Sequence, residues 1–215
     1  MSYIALSGKF LIGWNVYFYG METLATKSKC TYQEYLQLEK DTDIRHEYWN
    51  GEVFAMAGTS KTHARISLNI SRLFDDEFSP KGCNVFLSEI KLELEKENYY
   101  VYPDVVLNCD KEDKDPYTTK NPSLIVEVLS KSTEAYDRSV KLAQYRKIKS
   151  LCYYLLVSQT ASIVEVYGKV NEGASIFTYE VYEGLDTTIE LPALQFSLPM
   201  SKVYEYVEFG DEGRL

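Results

Sequence analysis

One acidic residue interrupts an apolar run that otherwise has the composition of a buried strand, Leu124-Ile125-Val126-Glu127-Val128-Leu129. Because side chains alternate along a strand, Glu127 shares one face with its apolar neighbours at i−2 and i+2, and the opposite face is wholly apolar. A carboxylate left there without a cation or a hydrogen-bond donor costs several kcal/mol or changes its protonation state. The run therefore predicts a strand buried on both faces and a group that compensates Glu127.

A second acid, Asp104, directly follows Pro103 and precedes the apolar run Val105-Val106-Leu107. Proline cannot donate to a strand ladder, so this point is predicted to be a strand start or edge that faces a cleft. If the strands of Asp104 and Glu127 are neighbours, two like charges converge at low dielectric and require a cation. Each acid also has an ordinary alternative, since Asp104 can cap a turn and Glu127 can be satisfied by internal hydrogen bonds.

A predicted helix over residues 134–148 supplies a basic residue near these acids. Hydroxyl residues of Ser130-Lys131-Ser132-Thr133 precede the helix as caps, and Asp137, Lys141 and Tyr145 follow at i, i+4 and i+8 along one side. Lys141 is therefore expected to lean back toward the end of the preceding strand. The alternative is an ordinary surface ion pair between Asp137 and Lys141, worth ~0.3–0.5 kcal/mol.

The charge balance limits how the chain can bind polyanions. Among 215 residues there are 32 acidic and 23 basic side chains, which gives a formal net charge of −9. This charge argues against broad binding of nucleic acid driven by charge alone, although a bound divalent cation or a local basic patch can reverse the field where a phosphate docks. No apolar run reaches the ~18 residues that a membrane span requires, so no membrane partner is expected.

The four cysteines, Cys30, Cys83, Cys109 and Cys152, are scattered along the chain. They form no C-x-x-C pair and have no histidine at metal-ligand spacing, so neither a zinc site nor a disulfide framework is indicated. We interpret them as reduced thiols of a cytoplasmic protein.

The pattern of periodic segments predicts a single domain over residues 31–207, preceded by a poorly ordered extension over residues 1–30 and followed by a tail over residues 208–215. The first twenty residues have two interpretations, an extension of the reading frame upstream of Met21 or an added strand. The predicted elements are a capping box at Thr31-Tyr32-Gln33-Glu34 that opens a short helix, a hairpin around Asn50-Gly51, a helix over 59–78, strands over 84–95 and 99–107, a charged loop over 110–121, a strand over 124–129, a helix over 134–148, strands over 151–157, 162–167, 176–182 and 187–191, and a helix over 200–207. The central order is helix, strand, strand, strand, helix, strand.

These residues and this order resemble the Uma2 family of endonucleases, formerly a domain of unknown function, within the PD-(D/E)XK nuclease superfamily. The resemblance covers about residues 31–207. The residues that carry it are Pro103-Asp104, Glu127-Val128-Leu129-Ser130, Ser132-Thr133, Asp137, Lys141 and Tyr145, together with Glu47, Gly51 and His63 upstream. It implies an α/β (α+β) fold with a restriction endonuclease-like core, in which helices flank a mixed central sheet, with an N-terminal hairpin and additional antiparallel C-terminal strands.

The resemblance also implies the chemistry of a site. Asp104 and Glu127, helped by the backbone carbonyl of Val128, are expected to hold one or two Mg²⁺ or Mn²⁺ ions that activate a water molecule and polarise a scissile phosphate. Superfamily members usually carry a lysine two residues after the second acid, but Leu129 stands there. Lys141 is similar to the displaced lysine of this family, and its ammonium is expected to reach both carboxylates within a few ångströms and to position the attacking water.

Three further residues are expected to assist. Glu47 and His63 are predicted to add an outer metal ligand or a phosphate contact, and Tyr145 accompanies Lys141 on its helix. The alternatives are a histidine at a helix start bonded to nearby backbone for His63, and an ion pair of the hairpin for Glu47.

The implied function is that of a Mg²⁺-dependent endonuclease acting on the phosphodiester bonds of DNA. A function of a different class fits the acidic charge, namely a catalytically idle nuclease-fold scaffold or a nucleic-acid-binding module. Nucleases that cut both strands are commonly dimers, and the tyrosine-rich strands after residue 160 offer an edge for self-association, so a homodimer is expected.

Overall fold

The computed structural model describes residues 29–171 and 176–209. Most of the extension predicted over residues 1–30 lies outside the described residues, and so does most of the tail predicted over residues 208–215. The two interpretations of residues 1–20 concern a segment that lies entirely outside them. The helices are α1 (Tyr32–Asp41), α2 (Lys61–Phe78), α3 (Glu134–Tyr136), α4 (Leu142–Tyr145) and α5 (Met200–Val203), with a π-helical turn at Asp137–Lys141 and 3₁₀ turns at Ser79–Lys81 and Pro192–Leu194. The strands are β1 (His46–Trp49), β2 (Glu52–Ala55), β3 (Asn84–Leu87), β4 (Lys91–Glu95), β5 (Tyr99–Val101), β6 (Val105–Asn108), β7 (Thr118–Thr119), β8 (Leu124–Leu129), β9 (Tyr153–Ser158), β10 (Ile163–Lys169), β11 (Phe177–Glu183), β12 (Thr188–Leu191) and β13 (Phe196–Pro199).

Three sheets organise the described part of the chain. The largest has six strands in the order β11-β10-β9-β8-β6-β3, and it is mixed because β8 and β9 are parallel while its other neighbours are antiparallel. A second sheet has the order β2-β1-β5-β4-β7, and β12 pairs with β13 in a third. Helices, a mixed central sheet, an N-terminal hairpin and antiparallel C-terminal strands confirm the predicted fold class.

The predicted order of helix, strand, strand, strand, helix, strand is present in the large sheet as α2, β3, β6, β8, the helical segment of residues 134–145, and β9. The strands predicted over residues 84–95 and 99–107 are wrong as single strands, because each divides between two sheets. A turn divides the first, where the Ile90 amide donates to the Leu87 carbonyl at 3.1 Å. Pro103, which lacks an amide hydrogen, lies in the break of the second between β5 and β6.

Two local predictions near the start of the domain are confirmed. Glu34 Oε2 accepts from the Thr31 amide at 2.7 Å, and Thr31 Oγ1 accepts from the Glu34 amide at 3.3 Å, so the capping box opens α1. Asn50 and Gly51 have φ angles of 45° and 93°, the left-handed conformation that a two-residue hairpin requires. The resulting hairpin of β1 and β2 carries Glu47 in β1.

Strand β8 is buried on both faces, as its sequence predicts. Val126 and Val128 pack in a core that includes Ile66 and Phe74 of α2. Ile125 and its neighbours on the other face belong to a separate core cluster with aromatic and aliphatic residues of α4 and β9. Glu127 projects toward this second side, where only 4% of its surface is exposed.

The prediction of four reduced thiols is wrong for two of them. Cys83 precedes β3 and Cys109 follows β6, and these antiparallel strands pair Asn84 with Asn108. The register therefore places the two cysteines opposite each other, and they form a disulfide. Neither cysteine has a nearby partner in the sequence, so the spacing alone gave no signal for the bond.

No helix in the described part of the chain combines the length and the apolar composition that a bilayer crossing requires.

Candidate active site

The two predicted acids lie at neighbouring strands, since Asp104 directly precedes β6 and Glu127 is within β8. Strands β6 and β8 are antiparallel and pair Val105 with Val126, so continuing the register by one residue places Asp104 opposite Glu127. The Val128 amide donates to Asp104 Oδ2 at 2.7 Å, which anchors this carboxylate beside the strand. The convergence expected from the sequence is therefore present.

His63 reaches the same carboxylate from α2. The Ser60 hydroxyl caps the helix by accepting from the His63 amide at 3.0 Å, which places the histidine in the first turn. Its ring Nε2 lies 2.7 Å from Asp104 Oδ1. The histidine is thus at a helix start, as one alternative held, but its ring contacts the acid of the site instead of nearby backbone.

Lys141 lies at the centre of a buried ionic cluster. Its Nζ is 2.9 Å from Glu127 Oε1, 3.0 Å from Glu47 Oε1 and 3.4 Å from Asp137 Oδ1. The Lys141 side chain is 7% exposed and that of Asp137 2%, so the alternative of a surface ion pair is wrong. The predicted approach of the ammonium to Glu127 is present, but no ion pair within the described ranges joins Lys141 to Asp104.

The helical segment that carries Lys141 also supplies a hydroxyl. Residues Asp137–Lys141 form a π-helical turn between α3 and α4, and such wider turns often occur at functional sites. One turn further, Tyr145 donates from its hydroxyl to Glu127 Oε1 at 2.8 Å. Lys141 and Tyr145 therefore hold the same carboxylate oxygen from one side of the segment.

Glu47 completes the cluster from the other sheet. Its Oε1 accepts from the Tyr102 amide at 3.4 Å, and its Oε2 accepts from Trp49 Nε1 at 3.5 Å. Its ion pair is with Lys141, not with another residue of the hairpin, so that alternative is wrong. Sequence reasoning missed Trp49 and Tyr102; the i+2 position of Trp49, on the same face of β1 as Glu47, was an available signal for the first.

The cluster contains three carboxyl groups and one ammonium group, and burial shifts the pKa values of its members. Burial raises the pKa of Glu127 well above its usual range, and Lys141 offsets this only in part. Burial likewise raises the pKa of Asp137. For Lys141, burial opposes the charged form, but Glu127 and Glu47 outweigh it and hold the lysine pKa well above its usual range. Taking up a further cation relieves the repulsion among these carboxylates.

The donor set of Asp104 and Glu127 fits a hard divalent cation. No group of three or more His, Cys, Asp or Glu side chains among the described residues has the arrangement of a metal centre. Mg²⁺, however, commonly binds through one or two carboxylates and keeps several waters. Among the described residues, Lys141 and Tyr145 both donate their hydrogen bonds to Glu127 Oε1. The other oxygen of this carboxylate, Oε2, therefore remains available to coordinate a metal ion.

The sequence model of a family described as "Uma2: Putative restriction endonuclease" matches residues 32–201, most of the chain. The chain belongs to the Uma2 family. The match includes every site residue described above, from Glu47 to Tyr145. A nuclease assignment for this chain thus has the support of its family as well as of its geometry.

Two relatives of similar length come from Synechocystis sp. (strain PCC 6803). The uncharacterized protein slr1290 is 36% identical over 183 residues, which cover 84% of this chain and 94% of that protein. The uncharacterized protein sll1609 is 35% identical over 161 residues, 74% of this chain and 91% of that protein. Neither name states an activity.

A solved structure supports the fold. The crystal structure of a protein from Anabaena variabilis, described as "a putative nuclease belonging to DUF820", superposes on this chain with a TM-score of 0.66, and the match covers 83% of this chain and 99% of that one. At 16% identity this likeness concerns the fold alone. The Uma2 chain therefore has a fold that is also found in a protein described as "a putative nuclease".

Proposed function

We propose that this Uma2 protein is a metal-dependent endonuclease that hydrolyses phosphodiester bonds of DNA. The observation that carries the proposal is the placement of Asp104 opposite Glu127 with the Lys141 ammonium 2.9 Å from Glu127. Two carboxylates and a lysine at one buried point supply the charges that phosphodiester hydrolysis needs. Family and fold support a nuclease, and the geometry supports the choice of residues.

Asp104, Glu127 and the carbonyl of Val128 would hold Mg²⁺ or Mn²⁺. The bound ion supplies Lewis acidity to the scissile phosphate and a water of lowered pKa. Lys141 orients the attacking water and offsets charge that develops on the phosphate oxygens. Tyr145 and His63 fix the orientation of Glu127 and Asp104 through their hydrogen bonds.

A catalytically idle nuclease-fold scaffold or nucleic-acid-binding module is the second candidate. It is favoured by the net charge of −9 and by the Lys141 ammonium, which three carboxyl groups already surround. Calorimetric titration with Mn²⁺ separates the two functions. An endonuclease shows binding that Glu127→Gln weakens at least tenfold, whereas an idle descendant shows no heat with either protein.

Cleavage assays test the proposal directly. The purified protein is incubated with plasmid, short duplex and short single-stranded DNA, with Mg²⁺, with Mn²⁺ or with EDTA. Asp104→Asn and Lys141→Ala are each expected to lower the rate about 100-fold or more, the usual loss for a removed transition-state contact. Asp186→Asn removes a charge from an exposed turn and serves as the matched control.

Three results contradict the proposal: no cleavage at all, cleavage that persists in EDTA, and cleavage that Asp104→Asn leaves unchanged.

The DNA preference is tested in the same assay by adding an RNA of the same sequence. The proposed cytoplasmic location is checked separately by trapping thiols in intact cells, because disulfides such as Cys83–Cys109 are rare in reducing compartments.

A further inference from the structure

A groove lies on the outer side of α2, between this helix and the chain that follows α5. It is lined by Lys61, Arg65 and Leu68 of the helix and by Tyr206 and Glu208 of the C-terminal segment, among others, and encloses about 580 Å³. This volume is in the range of small-molecule sites, roughly 300–1,000 Å³. None of these residues belongs to the cluster around Lys141.

The helix side of the groove carries positive charge that the described protein does not neutralise. Lys61 and Arg65 are exposed and one helical turn apart. Neither makes an ion pair with any residue in the ranges 29–171 and 176–209, although Glu208 lines the same groove. In a chain with a net charge of −9, such a local basic pair marks a place where an anion can bind.

The other side of the groove presents an aromatic ring to solvent. Tyr206 is 82% exposed and has a φ of 60°, a left-handed conformation that costs a bulky residue roughly 1–2 kcal/mol. Neighbouring contacts hold the backbone in place: Asn69 Nδ2 donates to the Glu205 carbonyl at 2.8 Å, and the Val207 amide donates to the Tyr204 carbonyl at 3.0 Å. A strained backbone that holds a large ring out of the core suggests a role for that ring in binding.

The groove begins at the end of α2 that meets the candidate active site. Ser60, next to Lys61, donates from its hydroxyl to Gln159 Oε1 at 2.6 Å, and Gln159 Nε2 donates to the Leu129 carbonyl at 2.7 Å. Leu129 ends the strand that carries Glu127. The first two turns of α2 therefore supply one residue to the site, His63, and two cations, Lys61 and Arg65, to the groove.

We infer that this groove binds a single-stranded segment of the nucleic acid that flanks the scissile bond. Lys61 and Arg65 contact its phosphates, and Tyr206 stacks on an unpaired base. Cations beside an exposed aromatic ring are the combination that single-strand-binding surfaces use, and a paired base inside a duplex cannot offer its face to the ring. This inference rests on the proposed nuclease function and specifies the form of its substrate.

Binding of a fluorescein-labelled single-stranded 20-mer is measured by anisotropy in EDTA, where no cleavage occurs. Lys61→Glu/Arg65→Glu is expected to weaken binding at least tenfold and to reduce the slope of log K against log salt by about 1.4, about 0.7 for each lost phosphate contact. The control Lys40→Glu/Lys96→Glu changes the charge equally at exposed positions outside the groove and is expected to change affinity less than threefold. Tyr206→Ala is expected to weaken binding about fivefold or more, and Tyr206→Trp to retain it.

The outcomes separate the inference from the proposed function. If wild type cleaves no substrate, the proposed function fails, and the anisotropy series still reports on the groove. If the control loses as much affinity as Lys61→Glu/Arg65→Glu, or polyglutamate competes as well as the oligonucleotide, the groove is only a general anion surface and the inference is overturned. A duplex that binds as tightly as the single strand, with Tyr206→Ala unchanged, also overturns it.

Discussion

A single ammonium decides the electrostatics of the candidate site. Lys141 is within 3.4 Å of carboxylate oxygens from Glu47, Glu127 and Asp137, all of them nearly inaccessible to solvent. Forming such a cluster gives little net stability, because desolvation offsets the attraction. Lys141 is the only cation among these four side chains, so removing it leaves buried carboxylates unpaired and lowers the free energy of unfolding.

Lys141→Met is accordingly expected to lower the free energy of unfolding by about 3–5 kcal/mol. Adding Glu127→Gln to this variant removes one uncompensated charge and is expected to recover part of the loss, a coupling that a double-mutant cycle measures by urea denaturation. Lys147→Met, at an exposed lysine, is the control and is expected to stay within about 0.5 kcal/mol of wild type. Equal losses in the Lys141 and Lys147 variants contradict the account of the cluster.

The sequence predicted most residues of the candidate site but not the contacts among them. Glu127 was visible because an acid broke an apolar run, and Lys141 because helical spacing pointed it toward the strand. The contact between Glu47 and Lys141 was hidden, because it joins parts of the chain that are far apart in sequence and belong to different layers. The sequence also did not determine whether Asp137 is buried, since its i+4 spacing from Lys141 is equally typical of an exposed ion pair.

At the scale of elements, turn chemistry was predictable and sheet membership was not. The Asn50-Gly51 hairpin and the α1 capping box follow from local preferences that the sequence displays. The division of residues 84–95 between β3 and β4 depends on which sheet each strand joins, and alternation within a strand does not encode that. The π-helical turn at Asp137–Lys141 was likewise not predicted, because the sequence pattern was interpreted with the 3.6-residue period of an α-helix.

The hairpin turn yields a prediction because Glu47 depends on β1. Gly51 has a φ of 93°, and an added Cβ there would lie 2.7 Å from the Cβ of Lys29. Gly51→Ala is expected to cost about 1–2 kcal/mol of unfolding free energy from the left-handed backbone alone. Thermal and urea denaturation measure the loss.

The matched control for this change is Gly58→Ala, because an added Cβ at Gly58 would meet nothing within 4 Å. It is expected to cause no loss of stability. A Gly51→Ala protein as stable as Gly58→Ala would show that the hairpin tolerates another turn type.

At the scale of the whole molecule, an open sheet edge supports the predicted homodimer. Strand β11 pairs only with β10 in the described structure and ends the six-stranded sheet. It exposes Tyr179 and Val181, at 55% and 45%, and an unpaired edge of this kind can align with a second copy. The net charge of −9 opposes this association, so it is expected to strengthen with salt.

Light scattering during gel filtration measures the assembly. Wild type is expected at twice the chain mass of 24.8 kDa, and Val181→Glu, which places a charge on the β11 edge, at the chain mass itself. The control Ile44→Glu alters an exposed apolar residue that precedes β1 of the five-stranded sheet, and it is expected to leave the mass doubled. A wild-type mass of one chain contradicts the dimer.

The ion pairs of Lys141 join the two large sheets, because Glu47 belongs to one and Glu127 to the other. Both acids precede the lysine in the chain, so a ribosome exposes them before the cation that completes the cluster has been made. A truncated or half-folded copy therefore has carboxylates but no assembled centre. The candidate site is therefore complete only after residues of both sheets and the helical segment of Lys141 have folded together.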